Sequence, residues 1–248
     1  MPRPSAIGVS VDRRRLLRAG GALALAAAFW PTRAPAQSKL RIGVIGSGHI
    51  GGTIGGLWVK AGHPVLFSSR HPDELKDLVT SLGELAKAGT VEQAIAFGDV
   101  LFIAVPYGAL PQIGQDYGTT LKGKIMLDAC NAVASRDGAP IADEVEKEGI
   151  GVVSQKYLGG ARIVRAFNTL NYKIFAKEAN RSDPKLAIPI AGDDPAAVTT
   201  AADLIRDIGF DPVVVGKLAD ATRFQRGGPG YGLQATAAEF RQKLSLTP

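Results

Sequence analysis

Gly46-Ser47-Gly48-His49-Ile50-Gly51 sets three glycines at the spacing G-x-G-x-x-G. The apolar run Leu40 to Ile45 precedes it, and a segment of helical character follows to about Ala61. A glycine-rich surface loop could carry the same letters, but the strand before and the helix after give the pattern its meaning. Gly46 admits a tight turn, Gly48 lets the backbone approach a pyrophosphate, and Gly51 lets the helix close onto the strand. The phosphates would rest on free N–H groups at the helix start, those of His49 and Ile50 included, at the positive end of the helix dipole. The chemistry implied is dinucleotide binding.

The second strand bears on which dinucleotide. A site for NAD usually has Asp or Glu about 20 residues on, to bond the ribose 2′-hydroxyl. Here the strand ends Phe67-Ser68-Ser69-Arg70, with no acid until Asp73. A hydroxyl and a guanidinium suit a 2′-phosphate, which a carboxylate would repel. Ser69 and Arg70 are therefore the expected clamp, with His71 and Lys76 as helpers, and NADP is the expected cofactor.

Other chemistries find little support. His49 and His63 have no Cys or carboxylate partner at metal spacing, so no metal site is assigned. Cys130, the single cysteine, cannot form an internal disulfide. At the end of a strand it reads as a small core residue rather than a nucleophile. No catalytic residue is assigned.

These residues need a scaffold. Buried strands are expected over Leu40–Ile45, Pro64–Phe67, Val100–Val105, Lys124–Leu127, Arg162–Phe167, Leu186–Ala191 and Pro212–Val215. Helical spacing occurs at Leu75, Leu78, Val79 and Leu82, then at Val91, Ala94 and Ile95, and at Val198, Ala201, Ile205 and Ile208. Alternating strands and helices indicate an α/β fold: a doubly wound, mainly parallel sheet of Rossmann type in a single domain. Gly227-Gly228-Pro229-Gly230 and Ala235–Leu244 suggest a short C-terminal extension, a loop followed by a helix.

Together the motifs resemble the NADPH-dependent oxidoreductases typified by the F420:NADP oxidoreductases, a domain shared by six-transmembrane ferric reductases. The resemblance rests on the glycine loop, Ser68-Ser69-Arg70, Ala104-Val105-Pro106-Tyr107, Leu127-Asp128-Ala129-Cys130-Asn131 and Val164-Arg165-Ala166-Phe167-Asn168-Thr169. Ile190-Ala191-Gly192-Asp193-Asp194 and Asp207-Ile208-Gly209-Phe210 extend it. It implies that Val105-Pro106 passes the nicotinamide ribose, and that Asn131, Asn168 and Thr169 line the nicotinamide and acceptor pocket. Hydride transfer between stacked rings requires no side-chain acid or base. The F420-using archetype has His where this chain has Asn168, whereas the ferric reductases have Asn, so the departure bears on the acceptor.

Residues 1–36 read separately. Asp12-Arg13-Arg14-Arg15-Leu16-Leu17-Arg18, the apolar run Ala19 to Trp30 and Ala34-Pro35-Ala36 follow the order of a signal peptide. The paired arginines make it a twin-arginine type, predicting cleavage after Ala36 and a periplasmic or otherwise exported product. This segment holds six of the 29 basic and one of the 23 acidic residues, leaving 23 against 22. The surplus charge thus belongs to the signal and does not indicate nucleic acid.

The expected organisation is residues 37–216 as the NADP-binding domain and 217–248 packed on it, with no membrane span in the mature chain. The expected partner is a small redox acceptor of flavin type (F420 or FMN), and a homodimer is left open. The alternative is a non-catalytic exported NADP-binding module acting through a partner protein. Hydroxyacid and pyrroline-type dehydrogenases share the N-terminal fold but carry a large helical second domain, which the roughly 30 residues after Gly216 do not match.

Overall fold

The computed structural model describes residues 39–179 and 181–246. The expected twin-arginine segment, residues 1–36, lies outside the described residues. From Lys39 onward the chain forms one compact unit.

Its scaffold follows from short apolar runs that bury both faces, as central parallel strands must. In β1 (Ile42–Ile45), Ile42 and Val44 enter one core and Ile45 the other. In β4 (Val100–Ile103), Val100 and Phe102 face the first core while Leu101 and Ile103 face the second. Between them in sequence come α1 (His49–Lys60), β2 (Val65–Ser68), α2 (Lys76–Leu82), β3 (Ala86–Gly89) and α3 (Val91–Phe97). Then follow α4 (Leu110–Leu121), β5 (Ile125–Asp128), the helices α5 (Ala134–Asp137), α6 (Ala139–Glu148) and α7 (Ile150–Tyr157), and β6 (Arg162–Arg165). The remainder is α8 (Tyr172–Glu178), β7 (Ala187–Gly192), α9 (Pro195–Asp207), β8 (Asp211–Gly216) and α10 (Ala237–Lys243).

The eight strands run in the order β3-β2-β1-β4-β5-β6-β7-β8. Neighbours are parallel except β6 and β7, which are antiparallel. The expected Rossmann-type, mainly parallel sheet is what the chain forms. The order reverses between β1 and β4, so the crevice at their C-terminal ends is the switch point where such sheets bind ligands. Strand β3 was not expected. It is an edge strand with Lys87 and Ala88 exposed, so it has no apolar run to announce it. Strands β4 and β6 end two residues sooner than expected, which leaves Val105-Pro106 and Phe167-Asn168 in loops leaving the sheet.

One core is organised by aromatic side chains. Trp58, Phe102, Phe167, Phe175 and Phe210 meet edge to face at centroid distances from 5.1 to 6.4 Å. That geometry suits their quadrupoles, and the Trp58 indole N–H donates to the Leu204 carbonyl at 2.9 Å. The C-terminal extension packs on the other core through Leu218, Phe224, Phe240 and Leu244.

Candidate functional site

Helix α1 begins on the glycine loop at the switch point. Gly46 has φ +92°, and a Cβ there would fall 2.5 Å from Val105 Cγ1 and 2.7 Å from the Ala104 carbonyl oxygen. A Cβ on Gly51 would fall 1.9 Å from the Gly46 carbonyl oxygen, so the loop closes only without one. Gly48 differs: a Cβ there meets no atom within 4 Å. Its hydrogen atom faces open space, where an approaching phosphate would need it small.

Gly48 caps α1 without a side-chain bond, and the helix has no acid in its first turn. The N–H groups of His49 and Ile50 find no acceptor among the described residues. An uncapped helix start with no acid in its own first turn is suited to an anion. Ser47 plays a different part. Its N–H and its hydroxyl both donate to the Ser68 carbonyl, at 3.2 and 3.1 Å, which ties the loop to β2. The His49 ring turns away and stacks on Tyr172 at 4.4 Å, leaving its backbone N–H as the useful group.

A cavity of about 790 Å³ opens beside the loop. It is lined by Gly46, Ser47 and Gly48, by Ser69 and Arg70 after β2, and by Val105 and Pro106 after β4. That volume lies in the range of cofactor pockets. Two expected helpers stay out: neither His71 nor Lys76 lines it. The His71 N–H instead donates to Ser69 Oγ at 3.1 Å, which fixes the serine hydroxyl at the rim. Glu74, which sequence reasoning passed over, does line the cavity. It reaches it on a 3-10 turn (Pro72–Leu75) that folds back after Arg70.

A second, smaller cavity of about 280 Å³ lies on the side of Ile50. Asn131 and Asn168 meet in its wall with Phe167, Tyr172 and Tyr231. The Asn131 side-chain N–H donates to the Asn168 carbonyl at 2.7 Å, and Asn168 Nδ2 donates to the Phe224 carbonyl at 3.1 Å. The first bond ties the loop after β5 to the loop after β6, and the second holds the C-terminal extension against the latter. Asn168 Oδ1 and Thr169 Oγ1 are buried without a partner. Thr169 lies behind the wall rather than in it. Phe167 has φ +60°, a strained value for an aromatic residue, and such strain collects at functional loops. An Asn at 168 could also have capped the next helix. That role belongs to Asn171, whose Oδ1 accepts from the Lys173 N–H at 2.9 Å.

Charged and titratable groups support these walls from behind. Asp128 and Arg165 are register partners on β5 and β6 and form a fully buried ion pair. Arg165 also donates to the Cys130 carbonyl at 2.6 Å, and Asp128 Oδ1 accepts from the Cys130 N–H at 2.8 Å. The residue before Asn131 is thus gripped from both sides. Burial pushes the Cys130 thiol well above its ordinary value. The sulfur accepts from the Val105 N–H at 3.4 Å, a core role rather than a nucleophile's. Burial likewise raises the Tyr107 phenol, which donates to the Ile150 carbonyl behind the Val105-Pro106 turn. Among the described residues no three His, Cys, Asp or Glu side chains cluster as a metal site, and no helix is long and apolar enough to cross a membrane.

Comparison with known proteins agrees with this geometry. Residues 41–132 match the model of the family described as NADP oxidoreductase, coenzyme F420-dependent. The rat metalloreductase STEAP3 is 28% identical over 215 residues, 84% of this chain and 38% of that protein. The chain spans less than half the length of the curated relatives it matches. The crystal structure of a Sinorhizobium meliloti protein, SMa0349, superposes with a TM-score of 0.69 at 26% identity, covering 81% of this chain and 97% of that one. A candidate F420-dependent NADP reductase from Arthrobacter sp. FB24 gives 0.63 at 22% identity, over 73% and 87% of the two chains, a likeness of fold. The resemblance read from the motifs holds over the segment that builds the glycine-loop half of the site.

Proposed function

We propose that the protein is an oxidoreductase that binds NADP(H) across the glycine loop and passes hydride to a flavin-like acceptor. The observation that carries it is the uncapped start of α1 at the switch point, with one cavity on either side. Ser69 and Arg70 on the larger side suit the 2′-phosphate, and Val105-Pro106 leads toward the ribose of the nicotinamide half. NADP, when bound, supplies or accepts the hydride. The chain's part is to hold the phosphates, orient the ring and exclude water. The aromatic and carboxamide wall of the smaller cavity suits a planar, hydrogen-bonding acceptor.

The test is rapid mixing of the NADPH complex with FMN, F420 and a quinone in a single turnover. Oxidation of NADPH by FMN or F420 is the expected result. Tight binding of NADPH with no oxidation by any of the three would favour the non-catalytic module acting through a partner.

Export along the twin-arginine route is part of the proposal and rests on the order of signals in residues 12–36 alone. Replacing Arg13 and Arg14 with Lys should trap the precursor in the cytoplasm. Undisturbed export would point to the general secretory route.

A further inference from the structure

We propose that Glu74 is a hydrogen-bond acceptor for the adenosine ribose hydroxyls, and that through it the protein also accepts NADH. The proposal rests on the reading of the 790 Å³ cavity as the dinucleotide site and goes on to its selectivity. Among the side chains lining that cavity, Arg70 supplies the positive charge and Glu74 the negative one. A site built for the 2′-phosphate alone gains nothing from a carboxylate, since it repels the phosphate that Arg70 attracts. For a cofactor with a free 2′-hydroxyl the same carboxylate is an asset, because an ionised oxygen accepting from a hydroxyl makes a strong hydrogen bond. Acidic residues take this role in NAD sites generally, though from the end of the second strand. Here that position is filled by Ser69 and Arg70, and the acid returns five residues after the serine.

The local fold keeps the acid in place. Pro72 opens the 3-10 turn, the Glu74 N–H donates to the His71 carbonyl at 3.1 Å, and Leu75 is buried beneath. Among the described residues Arg70 and Glu74 form no ion pair with each other, although both line the one cavity. Each is therefore free for a ligand: the guanidinium for a 2′-phosphate, the carboxylate for a 2′-hydroxyl. Glu74 is exposed and its side chain bonds nothing among the described residues, so replacing it should leave the fold undisturbed.

The experiment is fluorescence titration of the unmodified protein and of Glu74→Gln with NADH and NADPH, with melting temperature as the check on folding. The unmodified protein should bind both cofactors. In Glu74→Gln, NADH should bind about tenfold more weakly, the size of one hydrogen bond to a charged group. NADPH should bind as well as before or severalfold more tightly. Equal weakening of both, or no change in either, would overturn the role given to Glu74 while leaving the dinucleotide site standing. Binding of neither cofactor by the unmodified protein would overturn the site and this inference together.

Discussion

The two sides of the glycine loop are built on different principles. The larger cavity is made mostly by chain-local turns: its lining comes chiefly from the segments that follow β1, β2 and β4, joined by Val91 at the start of α3 and by Gln112 and Ile113 on α4. The smaller one is assembled from α1, the loops after β5 and β6, the start of α8 and the C-terminal extension. The first presents exposed polar groups and free backbone donors. The second hides its polar groups, bonds them to one another and leaves Asn168 Oδ1 without a partner. Recognition of a dinucleotide, a shared task, uses the local part. On the proposed reading, choice of acceptor would fall to the part that depends on long-range packing, where residue changes alter fold and function together.

The largest expected effect breaks the first side outright. Gly48→Val has room in the free protein, where no atom lies within 4 Å of the new Cβ, and the backbone there is extended. The side chain would fill the space the phosphates need. Calorimetry should show binding of both dinucleotides abolished, with the melting temperature nearly unchanged. Intact binding would place the phosphates elsewhere.

Arg70→Ala should do less, and selectively. The cost to NADPH binding should be roughly 1.5–3 kcal/mol, the range of a hydrogen bond to a charged group, with NADH barely affected. Equal losses for the two cofactors would sink the 2′-phosphate assignment.

These predictions concern the half of the site that was legible before the structure. A strand, a glycine turn and a helix follow one another in the chain, so their letters report one another's context. Ser69 and Arg70 were found because they end a recognisable strand. Glu74 was missed because a helix was expected to start near Leu75, whereas a 3-10 turn brings residue 74 back to the cavity. His71 and Lys76, expected as helpers from their place just after Arg70, are not part of the lining. On the other side, Asn131 and Asn168 carried a family signal, but Tyr172 and Tyr231 did not. The two tyrosines belong to separate elements, and only the packing of the extension makes them neighbours of one cavity. Arg165 did leave a trace: a charge inside an apolar strand demands a buried partner, and Asp128 on the adjacent strand provides it.

Asn168→Ala tests the second side, and both of its consequences should appear. It removes the donor to the Phe224 carbonyl, so stability should fall by about 1 kcal/mol in denaturant titration. It also removes a carboxamide from the cavity wall, so hydride transfer in a single turnover should slow in the protein that remains folded. Normal turnover would make Asn168 a structural clasp only. Asn168→His restores the archetype's residue. If it improves reduction of F420, the departure at this position explains a different natural acceptor.

The smallest effect sharpens the contrast within a single loop. Asn171 stands three residues from Asn168 and has the same side chain, yet its Oδ1 accepts from the Lys173 N–H and closes the first turn of α8. Replacing a capping Asn with Ala costs about 1 kcal/mol, because the helix N–H loses its acceptor. Asn171→Ala should therefore lower stability by about as much as Asn168→Ala. Asn171 also borders the smaller cavity, but its Oδ1 is taken by the cap bond, so the change should leave the affinity for NADPH unchanged and slow hydride transfer much less than Asn168→Ala. Measured side by side at matched cost in stability, the two variants compare a carboxamide oxygen without a partner with a capped one in the same wall. If Asn171→Ala slows hydride transfer as much as Asn168→Ala, the effect at 168 comes from loosening the loop, and the carboxamide has no part of its own in the acceptor pocket.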